Sequence, residues 1–188
     1  DSRHHPEVDT GDHSIRTLKA ATRLSTDPKV RFAALVHDLG KGITDSSFWP
    51  QHPGHEHAGL GPLESLCKRL KVPRSFSQLA QKVVRYHGEI HRSLQLRAEE
   101  LVELIEQLDG LRQPGQFEEV LLASEADARG RPGYDDRPYP QGQRLREALT
   151  VMQSVKAAPF TASGLKGPAL GEALRAARVD KVKAQNFG

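Results

Sequence analysis

The chain lacks the features that would place it in several large classes of protein. It has a single cysteine, Cys67, in 188 residues, so no disulfide framework can hold it together. No apolar run approaches the ~20 residues that a membrane-spanning helix needs, and no signal-peptide pattern opens the sequence. Aromatic residues make up only 5% of the chain, so a core must consist mainly of Leu, Val, Ala and Ile. These absences favour a globular protein, and we expect a cytoplasmic location without membrane attachment.

The net charge and the first residue are weaker evidence about function and domain organisation. The net charge of +3 is compatible with anionic substrates but does not by itself indicate a nucleic-acid-binding protein. The sequence begins with Asp1 rather than Met, and we expect it to be a piece of a longer protein.

Apolar residues recur at helical spacing along most of the chain, and no run alternates as a β-strand would. The spacing predicts about seven helices, around residues 12–21, 30–39, 60–70, 76–87, 101–108, 120–127 and 145–152, and then a basic helical tail around 168–183. Residues 41–57 and 129–141 have no regular period and are predicted to be loops. The sequence therefore predicts an all-α fold, a packed helical bundle.

Two adjacent polar residues, His37 and Asp38, directly follow the most apolar helical segment. Burying an imidazole and a carboxylate side by side is costly unless a metal or hydrogen-bonding partners compensate. His13 stands at the start of the first predicted helix, and Asp127 continues the apolar face of the sixth. Imidazole and carboxylate groups from three helices suit a divalent transition metal. The pattern therefore predicts a metal site formed by His13, His37, Asp38 and Asp127.

Each of these residues also has a simpler interpretation. A lone buried histidine is more often a hydrogen-bonded core residue than a metal ligand. Asp38 could serve only as the partner of His37, and Asp127 could pair with an arginine of the loop that follows it.

Three cationic residues lie next to these candidates in the sequence. Lys41 follows the His37-Asp38 pair after a glycine, and Arg129 and Arg131 flank Gly130 just after Asp127. At the mouth of a metal site they would bind and neutralise phosphate, since guanidinium groups match phosphate oxygens with paired donors. A solvated loop is the alternative. The basic residues of the tail could likewise follow an RNA backbone or form a solvated helix face.

The arrangement of these residues resembles the signature of the HD superfamily of metal-dependent phosphohydrolases. The resemblance rests on His13, then His37-Asp-Leu-Gly-Lys41, then Ala126-Asp127. A wider set of segments, residues 30–42, 54–56, 124–131 and 139–142, is similar to the C-terminal HD domain of bacterial multifunctional CCA-adding proteins. The similarity covers roughly residues 2–155, so we expect an HD domain in residues 1–155 and a linker with a basic helical tail in residues 156–188.

The resemblance implies a function. HD domains of that family follow a tRNA nucleotidyltransferase and act as 2′,3′-cyclic phosphodiesterase, 2′-nucleotidase and phosphatase. For this chain it implies hydrolysis of phosphoesters in nucleotides or at the tRNA 3′ end. The implied cofactor is a divalent metal, nickel above all, with Mg²⁺, Mn²⁺ and Co²⁺ as alternatives. The nucleotidyltransferase domain is expected in the full-length protein and not in this chain, and a homodimer is a further option.

The resemblance also implies roles for individual residues. HD enzymes with two metals add histidines between the pair and the final Asp, and His55 and His87 occupy suitable positions for metal binding, phosphate contact or simple hydrogen bonding. The residues expected to act in catalysis are Asp38, Lys41, His87 and Arg129. Those expected to bind substrate are Lys41, His55, His87, Arg129 and Arg131. His91 would lie on the same side as His87 only if its helix continues past Gly88.

Two other functions remain open from the sequence. The same metal site could serve an HD nucleotidase that acts on free nucleotides. Alternatively, the domain could position tRNA or mediate dimerisation without catalysis, with His37 and Asp38 as a structural remnant.

Overall fold

A computed structural model describes residues 10–185, and all the regular structure in this range is helical. The α-helices are α1 (Thr10–Leu24), α2 (Pro28–Val36), α3 (His55–Ala58), α4 (Leu60–Leu70), α5 (Arg74–His91), α6 (Ala98–Gln107), α7 (Pro114–Arg129), α8 (Pro140–Gln153), α9 (Ala158–Ala162) and α10 (Gly167–Ala184). Short 3₁₀ helices span Leu39–Ile43, Ser46–Phe48 and Ser93–Gln95. His4 and His5, predicted to be solvated, lie outside the described residues.

The predicted all-α fold is confirmed. Two of the helices, α3 and α9, are single turns of four and five residues, and they lie inside the predicted loop and linker. The other eight correspond to the seven predicted helices and the tail. α2 ends at Val36, earlier than predicted, because the chain continues into the 3₁₀ helix Leu39–Ile43.

The described residues form two compact units. The first comprises residues 10–91 and 118–139. Within it α2 packs along α5, and α1 packs against α2. The start of α2 is well specified, since Asp27 accepts a hydrogen bond from the backbone N–H of Lys29 and Pro28 occupies the first turn. The fully buried apolar side chains of this unit include Ala21, Val30, Ala33, Ala34, Leu63, Leu79, Val83, Val84, Val120 and Leu121.

The buried face of α1 is more polar than its apolar residues suggest. Ile15 is 48% exposed, whereas His13, Thr17 and Ala20 are buried. Ile15 therefore does not lie on the inward face, although its apolar side chain would favour burial there. The inward face carries the histidine that the sequence marks as a candidate ligand.

Gly40 allows two short elements to meet closely. A Cβ added at this position would overlap the backbone carbonyl of His55. The 3₁₀ helix Leu39–Ile43 therefore lies directly against α3, which brings Lys41 and His55 to the same end of the unit.

The second unit comprises residues 92–117 and 140–185. In it α10 packs against α6 and α8. Its buried apolar residues include Leu101, Val102, Leu104, Ile105, Leu145, Ala148, Met152 and Val182. Basic residues of the tail form ion pairs within the unit: Arg175 Nε lies 3.0 Å from a carboxylate oxygen of Glu106, and Arg178 also approaches Glu106. The predicted domain boundary near residue 155 remains a prediction.

No helix within residues 10–185 combines the length and the apolar character needed to cross a membrane.

Candidate metal centre

The four predicted metal ligands come together inside the first unit. His13 projects from α1, His37 and Asp38 follow the end of α2, and Asp127 projects from α7. His13 Nε2 lies 2.9 Å from Asp127 Oδ1. His37 Nε2 lies 3.2 Å from Asp38 Oδ2 and 3.4 Å from Asp127 Oδ1. All four residues are at most 4% exposed, so the cluster is enclosed by the helices that form it.

The backbone at the end of α2 explains how two adjacent side chains converge. His37 still has helical torsion angles, φ −57° and ψ −34°. Asp38 departs from them, with φ −101° and ψ 14°, and opens the 3₁₀ helix. Successive positions of a regular helix differ by about 100° in direction, and this change of conformation lets both side chains reach the same point.

The cluster is strongly coupled electrostatically. Burial alone would lower the pKa of His37, but the negative charges of Asp38 and Asp127 outweigh it and raise that pKa to about 10. Burial would raise the pKa of both carboxyl groups, yet the neighbouring His37 holds each pKa well below its usual range. Two buried carboxylates therefore require a cation between them, and without a metal the proton on His37 meets that need.

The hydrogen bonds of His37 leave one ring nitrogen available as a ligand. Its Nδ1 lies 2.8 Å from the carbonyl oxygen of Ala34; a carbonyl only accepts, so Nδ1 must be the donor. The buried Nε2 atom has no hydrogen bond of acceptable geometry, and neither has Oδ1 of Asp38. A backbone carbonyl that orients the second nitrogen of an imidazole is typical of metal-binding histidines. The donor set therefore fits a divalent metal.

A second group of ligands shares Asp38 with the first. Oδ1 of Asp38 lies 3.3 Å from His55 Nε2 and 3.6 Å from His87 Nε2, and the two Nε2 atoms are 3.2 Å apart. Nδ1 of His55 lies 3.0 Å from the carbonyl of His52, and Nδ1 of His87 lies 3.0 Å from that of Val83. Both Nδ1 atoms must donate, so two neutral rings would direct lone pairs at each other. A proton or a metal ion between the two atoms would relieve this repulsion.

Burial and the positive charge on His37 lower the pKa of His87 to about 4. His87 is therefore neutral at physiological pH. With its Nδ1 hydrogen donated to the backbone, it presents an acceptor towards the cluster.

The cationic candidates take up different positions. Lys41 Nζ donates to Asp38 Oδ2 over 2.6 Å, so this lysine lies at the ligand cluster. Arg129 lies 2.6 Å from Glu125, and Arg129 and Arg131 line a cavity beside α1. The structure thus places the two arginines along that helix and not among the histidines.

Two residues at the cluster were not assigned a role from the sequence. His91 Nε2 lies 2.6 Å from Asp127 Oδ2, and the hydroxyl of Tyr139 lies 2.8 Å from His91 Nδ1. A carboxylate only accepts, so His91 donates to Asp127 through Nε2, and its Nδ1 shares a hydrogen bond with the Tyr139 hydroxyl. The four-residue spacing from His87 was the only signal for His91. The spacing places both rings on one side because α5 continues through Gly88. Tyr139 opens one of the segments that carry the family resemblance, residues 139–142, but no role followed for it from the sequence.

Comparisons with known proteins bear on this site. A sequence model described as "HD domain" matches residues 10–131. The chain is similar to curated relatives named "Multifunctional CCA protein": it is 51% identical over 182 residues to that of Methylococcus capsulatus, covering 96% of this chain and 43% of the relative. It is 48% identical over 180 residues to that of Teredinibacter turnerae, covering 96% and 44%. It is 49% identical over 186 residues to that of Paracidovorax citrulli, covering 97% and 44%. The chain thus spans less than half the length of these relatives. No solved structure matches it.

Proposed function

This chain belongs to the HD domain family, and from that premise we propose that it is a metal-dependent phosphohydrolase acting on nucleotides or on the tRNA 3′ end. The family and the enclosed His/Asp cluster support chemistry of the phosphohydrolase type in general. The particular ester, the metal and the roles of single residues are parts of the proposal.

The observation that carries the proposal is the set of buried ligand atoms without hydrogen-bonding partners, His37 Nε2 and Asp38 Oδ1. Leaving such atoms unsatisfied is costly, and a bound cation removes that cost. We assign His13, His37, Asp38 and Asp127 to one metal ion. Imidazole ligands suit Ni²⁺, Zn²⁺ and related ions better than Mg²⁺. Among these ions the family resemblance implies nickel, which is the metal we propose.

A second ion is part of the proposal. It would be held by Asp38 Oδ1, His55 and His87, whose ligand atoms all lie within 4.8 Å of one another. Phosphate binding by His87 would need a hydrogen on Nε2. The low pKa of this ring favours the lone pair instead, and we therefore propose that His87 is a metal ligand.

The chain's own groups prepare the site for hydrolysis. A divalent metal supplies Lewis acidity, which lowers the pKa of water and polarises a phosphate oxygen. Asp38, kept ionised by its neighbours, can orient the attacking water or accept its proton. Lys41 neutralises Asp38 and provides positive charge where phosphate would enter. His91 and Tyr139 hold Asp127 in one orientation.

The substrate class is proposed from the relatives. These relatives are named multifunctional CCA proteins, and this chain, which carries the HD match, covers 43–44% of their length. We propose that the chain is the HD part of such a multifunctional protein, with a nucleotidyltransferase domain elsewhere in the full-length chain. Activities as 2′,3′-cyclic phosphodiesterase, 2′-nucleotidase and phosphatase belong to this proposal. The cytoplasmic location and the homodimer stay predictions.

The test is hydrolysis by metal-loaded protein. 2′,3′-cyclic AMP, 2′-AMP and 3′-AMP are offered with Ni²⁺, Co²⁺, Mn²⁺ or Mg²⁺, and bound metal is quantified in the same samples. The double variant His37→Ala/Asp38→Ala is expected to lose both metal and activity. A matched control, His57→Ala/Glu64→Ala, removes an imidazole and a carboxylate from exposed positions and should keep both. If the His37/Asp38 variant hydrolyses these esters as fast as the wild type, the proposal fails. Hydrolysis of free nucleotides that competing tRNA does not affect would favour a nucleotidase.

A further inference from the structure

A basic cavity lies beside α1 in the first unit. Its volume is about 200 Å³, and two acidic residues, Asp12 and Asp135, line it together with five cationic ones. The cationic residues are Arg16, Lys19, Arg23, Arg129 and Arg131. Positive charge therefore exceeds negative charge along its walls.

The sequence of α1 explains why one wall is a continuous strip. Asp12, Arg16, Lys19 and Arg23 recur at spacings of three and four residues, which places them on one face of a helix. Its cationic residues, Arg16, Lys19 and Arg23, form a cationic strip that extends about 10 Å at 1.5 Å per residue. That length exceeds a single phosphate group.

The opposite wall is brought in by a close contact between helices. A Cβ at Gly130 would lie 2.5 Å from Thr17 Oγ1 and 2.9 Å from the Thr17 backbone. Only glycine lets the end of α7 approach α1 this closely, and Arg129 and Arg131 are the neighbours of that glycine. The contact therefore fixes both arginines alongside the cationic strip.

Two guanidinium atoms at this cavity lack a hydrogen-bonding partner among the described residues, although Arg129 also pairs with Glu125 over 2.6 Å. The Nε atoms of Arg129 and Arg131 are buried and have no hydrogen-bonding partner within residues 10–185. Two of the other cations take part in ion pairs at exposed positions, Arg16 with Asp12 at 2.7 Å and Arg23 with Asp135 at 3.1 Å. Exposed ion pairs contribute little, so these side chains can exchange a carboxylate for a phosphate oxygen. Guanidinium groups match phosphate with paired donors.

We propose that this cavity binds the phosphodiester backbone of a single-stranded RNA, as a subsite separate from the metal centre. The inference rests on the proposed function for the nature of the ligand. The two sites share elements, since His13 lies on the same helix as the cationic strip and Asp127 precedes Arg129 by two residues. An RNA with its terminal phosphate at the metal centre would thus continue along α1. The subsite would favour RNA ends over mononucleotides.

The test is binding of a short fluorescein-labelled single-stranded RNA to metal-free protein, followed by anisotropy at several KCl concentrations. For single strands, log K falls with log salt by about 0.7 per neutralised phosphate. The variant Lys19→Ala/Arg23→Ala should lower this slope by about 1.4, which corresponds to about 25-fold weaker binding at 0.1 M salt. Lys19→Gln alone should give about half of that change in slope. Thermal melts followed by circular dichroism check that each variant is folded.

A matched control separates the subsite from total charge. Lys68→Ala/Arg69→Ala removes the same charge from exposed positions of α4 and should bind RNA like the wild type. Equal slopes for Lys19→Ala/Arg23→Ala and wild type, an equal loss in the control, or displacement of the RNA by inorganic phosphate at constant ionic strength would each overturn the proposal. Because this binding is measured without metal, failure of the phosphohydrolase proposal shows separately, as absent hydrolysis of a small phosphodiester by metal-loaded wild type.

Discussion

Metal binding at the cluster should release a proton from His37. In the metal-free protein the pKa of His37 is about 10, and the raised value means that the ring is protonated at neutral pH. Its Nε2 atom must lose this proton before it can bind a metal. At pH 7, about three units below the pKa, this deprotonation costs about 4 kcal/mol at 1.36 kcal/mol per unit. The metal must supply that free energy.

Raising the pH should strengthen metal binding. As the pH rises towards the pKa, the proton competes less, and the apparent affinity should increase about tenfold per unit. Between about pH 6.5 and 8.5 the gain should reach about 100-fold, and above about pH 10 it should stop. The measurement is isothermal titration calorimetry with Ni²⁺ in buffers of different ionisation enthalpy, which gives the affinity and the number of protons released.

Two variants sharpen this experiment. His37→Gln cannot carry the proton and should bind metal more weakly without the pH-dependent release attributed to this ring. His57→Ala, at an exposed histidine, should behave like the wild type. An affinity that is constant from about pH 7 to 8.5, or the same proton release in His37→Gln, would refute the reasoning.

Three further predictions concern residues around the centre. His91→Ala removes the donor to Asp127 Oδ2 and should weaken metal affinity by about 10–100-fold; Tyr139→Phe, one hydrogen bond further from Asp127, should have a smaller effect, and equilibrium dialysis measures both. Gly130→Ala pushes α7 away from α1 and should lower the free energy of unfolding by about 1–3 kcal/mol in a urea titration. Leu79→Ala, at a fully buried position, should cost about 2–5 kcal/mol in the same assay and leave metal affinity nearly unchanged.

Specific outcomes would contradict the predictions for His91 and Gly130. Unchanged metal affinity in His91→Ala would mean that the contact with Asp127 does not orient a ligand. An unfolding midpoint equal to that of the wild type in Gly130→Ala would mean that the helices separate at little cost. Gly115→Ala is its control, since a Cβ there meets nothing within 4 Å.

Much of the fold could be predicted because apolar spacing specifies helices directly. Val83 follows Leu79 by four residues and Val84 follows Ala80 by four, and all four side chains are buried as expected. Ile15 shows the limit of this reasoning. The pattern favours burying it, yet the inward face of α1 carries His13, because the polar cluster and not the apolar residues determines how that helix is turned.

The candidate site could be predicted in part for a similar reason. His37 and Asp38 stand out as polar residues after an apolar run, and the structure brings them to His13 and Asp127. The sequence left the position of His91 open, because Gly88 is a poor helix former that costs about 1 kcal/mol relative to alanine. In the structure α5 nevertheless continues to His91, and Ile90 is buried in the continued helix. Tyr139 lies in a segment without period. The position of Arg129 depends on the close contact between Gly130 and Thr17. No local sequence pattern predicts that contact.

The shared carboxylate of Asp38 has a thermodynamic consequence. One of its oxygens faces His37 and the other faces His55 and His87. A metal ion bound to one oxygen therefore alters the charge and the orientation of the carboxylate that the other ligand group uses. Two ions bound there cannot have independent affinities. Linkage requires that the factor by which the first ion changes the affinity of the second equals the reverse factor. A titration curve for this protein should therefore deviate from that of two identical, independent sites, and the deviation should disappear in a protein that retains only one of the two ligand groups.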